Sequence, residues 1–146
     1  MVLNQDFKEF IQSLNANKVR YLIIGGYAVA FHGQPRYTKD LDVWVEPNLR
    51  NAVRLIAALE AFGFGSIDLK PNDFLDPEAV IQLGYPPHRI DLVADLKGVD
   101  LSTCYDSRII DKIDGIPMSF IDLENLKRNK KAVGRYQDLA DLENLQ

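Results

Sequence analysis

Six consecutive residues, Asp40-Leu41-Asp42-Val43-Trp44-Val45, alternate charge with apolar bulk over their first four positions. Side chains two apart on a strand leave the same face. Asp40 and Asp42 therefore point one way, while Leu41 and Val43 point into a core. Two like charges held this close repel, and each loses solvation if covered, so the arrangement is costly unless a cation sits between them. Mg²⁺ suits such a pair, being a hard ion that takes oxygen ligands and keeps several waters for substrate phosphates.

A second feature lies upstream. Val19 to Ile24 reads as a buried strand, and Gly25-Gly26 ends it just before a short helical run, Tyr27 to His32. A glycine turn that opens a helix presents free backbone N–H groups and the positive end of the helix dipole, both of which favour phosphate. Phosphate cradle and acid pair are thus separated by one short loop, a combination suited to phosphoryl transfer. Arg36 and Thr38 sit in that loop, Gln34 to Lys39, as a cation and a hydroxyl just ahead of the acids. Gly33 is expected to stop the short helix in a left-handed conformation.

The remaining chain reads as alternating strands and helices. Asn4 caps a first helix with Phe7, Phe10, Ile11 and Leu14 on one face, a packing element. Pro47 is expected in the first turn of a helix whose apolar stripe runs through Leu49, Val53, Ile56, Ala57 and Leu59 to Phe62, with Gly63 ending it. Gly65 to Glu78 reads as a loop with at most one short strand. Ala79 to Gly84 and Arg89 to Ala94 form an antiparallel hairpin around Tyr85-Pro86-Pro87-His88. Within it Asp91 lies between core residues Ile90 and Leu92, so it leaves the opposite face; where the strands are neighbours, three carboxylates converge. Ser102 to Ser107 is a short helix, and Arg108 to Lys112 and Ile116 to Phe120 are strands joined by an Asp114-Gly115 turn. Asp122 caps a helix ended by Gly134, and Tyr136 to Leu145 is a last helix with Leu139, Leu142 and Leu145 as its stripe.

Composition bounds the function classes. With 146 residues, 47% apolar and 26% charged, the chain suffices for one domain with a sizeable core, taken as 1–146 with 122–146 as C-terminal helices packed on it. A net charge of −4 argues against a broad nucleic-acid-binding surface but leaves an RNA end open as a substrate. The lone Cys104 excludes a disulfide framework within the chain. No apolar run approaches ~18 residues, so neither a membrane span nor a signal peptide is expected, and the expected location is cytoplasmic.

Gly25-Gly26, the spacer, Asp40-Leu41-Asp42-Val43 and the later Ile90-Asp91-Leu92 together resemble the DNA polymerase β-like nucleotidyltransferase superfamily. Its pattern is an apolar residue, Gly-Gly or Gly-Ser, Asp-x-Asp or Asp-x-Glu, and a third carboxylate on a later strand. More narrowly, the chain looks like small stand-alone members related to AbiEii-type toxins and minimal nucleotidyltransferases. The segments Asp122 to Lys131 and Gly134 to Leu142 resemble their C-terminal helices. Gly25-Gly26-Tyr27 stands where many active members have Gly-Ser, which removes a hydroxyl and leaves backbone N–H groups to hold phosphate.

The resemblance implies an α/β (α+β) nucleotidyltransferase-like fold, a mixed β-sheet with helices packed on it. It also implies Mg²⁺-dependent transfer of a nucleoside monophosphate from an NTP, ATP among them, to an acceptor hydroxyl with release of pyrophosphate; Mn²⁺ is an alternative ion. Asp40 and Asp42 would hold the ion that carries the triphosphate and share a second with Asp91. Gly25 and Gly26 would lie against the phosphates, with Arg36, Thr38 and Lys131 as further nucleotide contacts. The acceptor, whether an RNA end, a protein hydroxyl or a small molecule, stays open, and a protein partner or homodimer would complete its site. The rival from another class is a non-catalytic nucleotide-binding toxin–antitoxin component of the same fold. A metal-dependent phosphodiesterase or nuclease would call for histidine ligands, for which His32 and His88 have no suitable spacing.

Overall fold

A computed structural model describes residues 3–33, 38–64, 68–84 and 88–145. Six strands form one sheet in the order β3-β4-β2-β1-β6-β5. They are β1 (Tyr21–Ile24), β2 (Leu41–Val45), β3 (Val80–Leu83), β4 (Ile90–Val93), β5 (Ile109–Ile113) and β6 (Ile116–Phe120). β1 runs antiparallel to β2, β3 to β4 and β5 to β6, whereas β2 with β4 and β1 with β6 are parallel. The fold class expected from the sequence is therefore found: a mixed sheet with helices packed on it.

Six α-helices cover the sheet: α1 (Gln5–Ala16), α2 (Gly25–His32), α3 (Leu49–Leu59), α4 (Leu101–Asp106), α5 (Leu123–Val133) and α6 (Tyr136–Asn144). Alternation along β2 divides the core in two. Leu41, Val43 and Val45 pack with Phe7, Phe10, Ile11 and Leu14 of α1 and with Ala52, Leu55, Ala58 and Leu59 of α3. On the opposite face Trp44 joins Leu22, Ile24, Leu101, Cys104, Ile121, Leu126 and Leu145. That second face also carries Asp42. Among the described residues no helix is long and apolar enough to cross a membrane.

Local chemistry accounts for most boundaries. The Asn4 side chain accepts from the N–H groups of Asp6 and Phe7, and that of Asp122 accepts from Asn125, so both caps anticipated from the sequence form. Gly134 ends α5 in the left-handed region at φ 71°, and Asp114-Gly115, at φ 52° and 81°, makes the tight turn between β5 and β6.

Four expectations need correction. Gly33 has φ −121°, so α2 does not end in a left-handed residue. Pro47 lies before α3, and Asn48 is the cap, its side chain accepting from Asn51 N–H. The face of α3 is rotated accordingly: Leu49 and Val53 are exposed, while Asn51 is buried and bonds the Arg20 N–H and the carbonyls of Arg20 and Glu46. On α6 Leu139 is exposed, and Asp138 and Asp141 face inward in its place. The loop expected over residues 65–78 agrees with the structure where it is described, 68–78, which hold a 3₁₀ turn at Pro71–Phe74 and no strand.

Candidate active site

β2 lies between β1 and β4, and its second residue has neighbours that matter on both sides. Asp42 stands opposite Ile24 of β1 and opposite Asp91 of β4. Leu41 pairs with Ile90 and Val43 with Leu92, the four apolar side chains all buried. Burial of these flanking residues forces Asp42 and Asp91 out together on the other face, because the pleat permits no alternative. Asp40, two residues earlier, joins them at the start of the strand.

Immediately after Ile24, Gly25 turns the chain beside Asp42. Its φ is +65°, and a Cβ there would collide with Asp42 Oδ2 and stand 3.0 Å from Asp42 Cγ. Both facts require glycine. The backbone of Gly25 thus packs directly on the carboxylate, and Ile24, the cap position of α2, supplies no side-chain hydrogen bond to the helix start. The first N–H groups of α2 are accordingly presented next to the acids, where orphan donors and the helix dipole both attract an anion.

The electrostatics of the three acids are unequal. Burial, followed by the charges of Asp91 and Asp40, pushes Asp42 up to about 6, and Lys130 and Arg89 offset this only in part. Asp40 and Asp91 share a counter-ion. Arg89 Nε donates to Asp91 Oδ1 at 2.8 Å, and its Nη2 donates both to Asp91 Oδ2 at 3.1 Å and to Asp40 Oδ2 at 3.2 Å. The hydrogen bond to Asp91, with the charges of Asp91, Asp40 and Asp42, raises the guanidinium above its usual range. Among the described residues no three His, Cys, Asp or Glu side chains are grouped so as to hold one metal ion.

The donor chemistry nonetheless fits a hard divalent ion at Asp40 and Asp42. Both are carboxylates, and the desolvated, self-repelling Asp42 is the kind of group that such an ion relieves.

A second ionic cluster backs the site. Lys130 of α5, with a side chain 8% exposed, lies 3.3 Å from Asp138 Oδ1 and 3.1 Å from Asp141 Oδ2, both on α6 and both 1% exposed. Arg135 Nε donates to Asp138 Oδ2 at 2.8 Å, and Gln137 Nε2 donates to Asp141 Oδ1 at 2.9 Å. The Arg135 guanidinium is the main reason that Asp138 is held below the usual carboxylate range, with Lys130 adding to it.

The remaining sequence candidates divide as follows. Gly26 follows Gly25 into α2. The Thr38 carbonyl accepts from Tyr27 Oη at 3.0 Å, and its Oγ1 is buried with no hydrogen-bond partner among the described residues. Arg36 lies outside the described residues. Lys131 is exposed; the lysine that faces inward is Lys130. Helical spacing carried that signal, since Lys130 follows Leu123 and Leu126 at i+7 and i+4 on the buried stripe. Arg89 stands two residues before Asp91, a spacing that puts both on one strand face, whereas nothing local in the chain points to its link with Asp40. His32 Nε2 is 2.6 Å from the Ile121 carbonyl oxygen, a structural contact.

No known protein family matches the sequence, and none of the curated proteins does. Solved structures do match, at the level of the fold. A Thermotoga maritima protein assigned provisionally to the nucleotidyltransferases superposes with a TM-score of 0.64 at 15% identity, covering 94% of this chain and 88% of that one. The lincosamide antibiotic adenylyltransferase LnuA, solved with lincomycin bound, gives 0.59 at 14% identity over 99% and 96% of the two chains. An antigenic nucleotidyltransferase-like protein from Paracoccidioides brasiliensis gives 0.56 at 20%, over 98% and 75%. The chain therefore has the nucleotidyltransferase fold.

Proposed function

We propose that this protein is a Mg²⁺-dependent nucleotidyltransferase that moves a nucleoside monophosphate from an NTP to an acceptor hydroxyl, releasing pyrophosphate. The observation that carries this is the register Ile24↔Asp42↔Asp91, which sets two carboxylates side by side directly against the glycine turn that opens α2. Likeness of fold to a lincosamide adenylyltransferase supports the same reading.

Each residue then has a task. The N–H groups of Gly25 and Gly26 take β- and γ-phosphate oxygens at the start of α2. Asp40 and Asp42 hold the divalent ion, Mg²⁺ or Mn²⁺, which when bound neutralises the triphosphate and acidifies the acceptor hydroxyl. Asp91 stands nearest Asp42 and is placed to receive the acceptor's proton once Arg89 releases it. Thr38, whose hydroxyl has no hydrogen-bond partner among the described residues, and Arg36, just ahead of the acids, are further phosphate contacts; Lys131, exposed on α5, is a third. The buried positive charge of Lys130 lowers the repulsion felt by Asp42.

For the acceptor, an RNA end, a protein hydroxyl and a small hydroxylated molecule all fit this chemistry, and LnuA, seen with lincomycin, favours testing small molecules first. Kinship with AbiEii-type toxins or minimal nucleotidyltransferases, and a partner or second copy completing the acceptor site, belong to the same proposal. Incubation with labelled NTPs, Mg²⁺ or Mn²⁺ and pooled acceptors is the test. Transfer is expected from the wild type and none from Asp42→Ala; transfer that survives that substitution overturns the assignment. A non-catalytic nucleotide-binding component of a toxin–antitoxin pair is favoured by one observation, the guanidinium of Arg89 lodged on two of the acids. It predicts NTP binding without pyrophosphate release.

A further inference from the structure

Resting on that reading but going beyond it, the position of Arg89 bears on how many ions the acids accept. Three carboxylates and one guanidinium carry two net negative charges, the amount that one divalent ion balances. Both oxygens of Asp91 are already engaged by the Arg89 fork, at 2.8 and 3.1 Å, and one oxygen of Asp40 is engaged at 3.2 Å. Such a bidentate pair is among the stronger polar contacts a protein makes, and the arginine cannot discharge by losing its proton. Asp42, in contrast, has no guanidinium on it among the bonds the structure shows, and lies against Gly25 at the phosphate end.

We propose that Arg89 stands in for the second divalent ion: with its guanidinium across Asp40 and Asp91, the nucleotide-free protein takes one divalent ion, at Asp40 and Asp42, and not two. Arg89 is then a positioning residue. It keeps Asp91 aimed at Asp42, where two like charges on adjacent strands otherwise push apart, and it reserves the Asp91 oxygens. Its removal exposes a second site made of Asp91 and the freed edge of Asp40.

Counting bound Mn²⁺ on the full chain without nucleotide, by equilibrium dialysis with electron paramagnetic resonance of the free ion, tests this directly. One Mn²⁺ per chain is expected for the wild type and for Arg89→Lys, which keeps the charge. Two are expected for Arg89→Met, with the first bound roughly tenfold more tightly once a neighbouring positive charge is gone. Arg89→Gln repeats the comparison should Arg89→Met not fold, with circular dichroism as the check. None or two ions on the wild type, or the same count on the wild type and the charge-free variant, overturns the proposal. The count needs neither NTP nor acceptor, so it fails separately from the transferase reading, which falls only in the labelled-NTP assay.

Discussion

Two ionic clusters lie within electrostatic reach of each other, and they are built to opposite ends. On α5 and α6 two buried acids, Asp138 and Asp141, face two bases, Lys130 and Arg135, and the charges cancel. At the sheet three acids have one base bonded to them among the described residues, Arg89, with Lys130 acting on Asp42 from further off. Burial acts on both, yet it leaves Asp138 below the ordinary carboxylate range and Asp42 well above it. Desolvation alone therefore does not decide which way a buried carboxylate shifts. What distinguishes the sheet cluster is a surplus of negative charge that the chain itself does not match, and the helix cluster reads as the structural counterpart that holds its wall in place.

The largest effect that would break this contrast concerns activity. Asp42→Asn removes surplus charge without changing shape, and nucleotidyl transfer is expected to fall by roughly 10³ or more, the scale of a lost transition-state charge stabiliser. Steady-state assay with the best acceptor found measures it, and full activity in the variant would erase the distinction. Lys130→Met comes next. Without Lys130 the buried Asp141 loses that ion pair and Asp138 keeps Arg135 as its base, at a cost of about 3–5 kcal/mol, as for other broken buried pairs. Urea denaturation should show it; a loss under about 1 kcal/mol, the value of an exposed pair, would mean that these acids are wetter than the structure indicates.

A third test uses acidity, where the two clusters should behave with opposite sign. Asp42 binds its proton more tightly in the folded than in the unfolded chain, so its contribution favours the fold below the usual carboxylate range and is withdrawn as pH rises through about 6. Asp138 lends stability above that range and loses it only in more acid solution. In the absence of divalent ions Asp42→Asn should thus be more stable than the wild type by about 2–3 kcal/mol near pH 8, the gap closing toward pH 4. Melting curves across that span, with and without Mn²⁺, decide the point; a gap independent of pH would refute it. The smallest effect is expected at Gly25→Ala, where left-handed backbone costs about 1–3 kcal/mol and the new methyl displaces Asp42 Oδ2. Its diagnostic sign is loss of Mn²⁺ affinity together with stability; stability lost alone would uncouple the turn from the acids.

How much of this was legible in the sequence follows from which forces are local. Alternation around Asp42 and Asp91 fixed which faces the acids leave from, because pleat and burial allow one solution. Caps at Asn4 and Asp122 and the Asp114-Gly115 turn depend on neighbours within a few residues and were equally plain. The face of α3 was not, because Asn51 is drawn inward by backbone groups of Arg20, 31 residues earlier, as well as of Glu46, five earlier. Nor was the inner face of α6. Polarity places Leu139 inside and Asp138 outside, and the buried Lys130 on a different helix, with Arg135 at the start of α6, reverses that order. Arg89 as a bridge was hidden for the same reason: its link to Asp40 spans two strands adjacent in space and 49 residues apart in the chain.

One buried ring has a practical consequence. Trp44 is the chain's single tryptophan, 1% exposed, and two positions beyond Asp42 on the same strand. Nature has installed one fluorophore a few ångströms along the strand from the carboxylate at issue, so ultraviolet emission excited beyond the tyrosine band reports on that neighbourhood without any label. An ion arriving at Asp42 is expected to register as an optical signal, readable in real time on the unmodified protein.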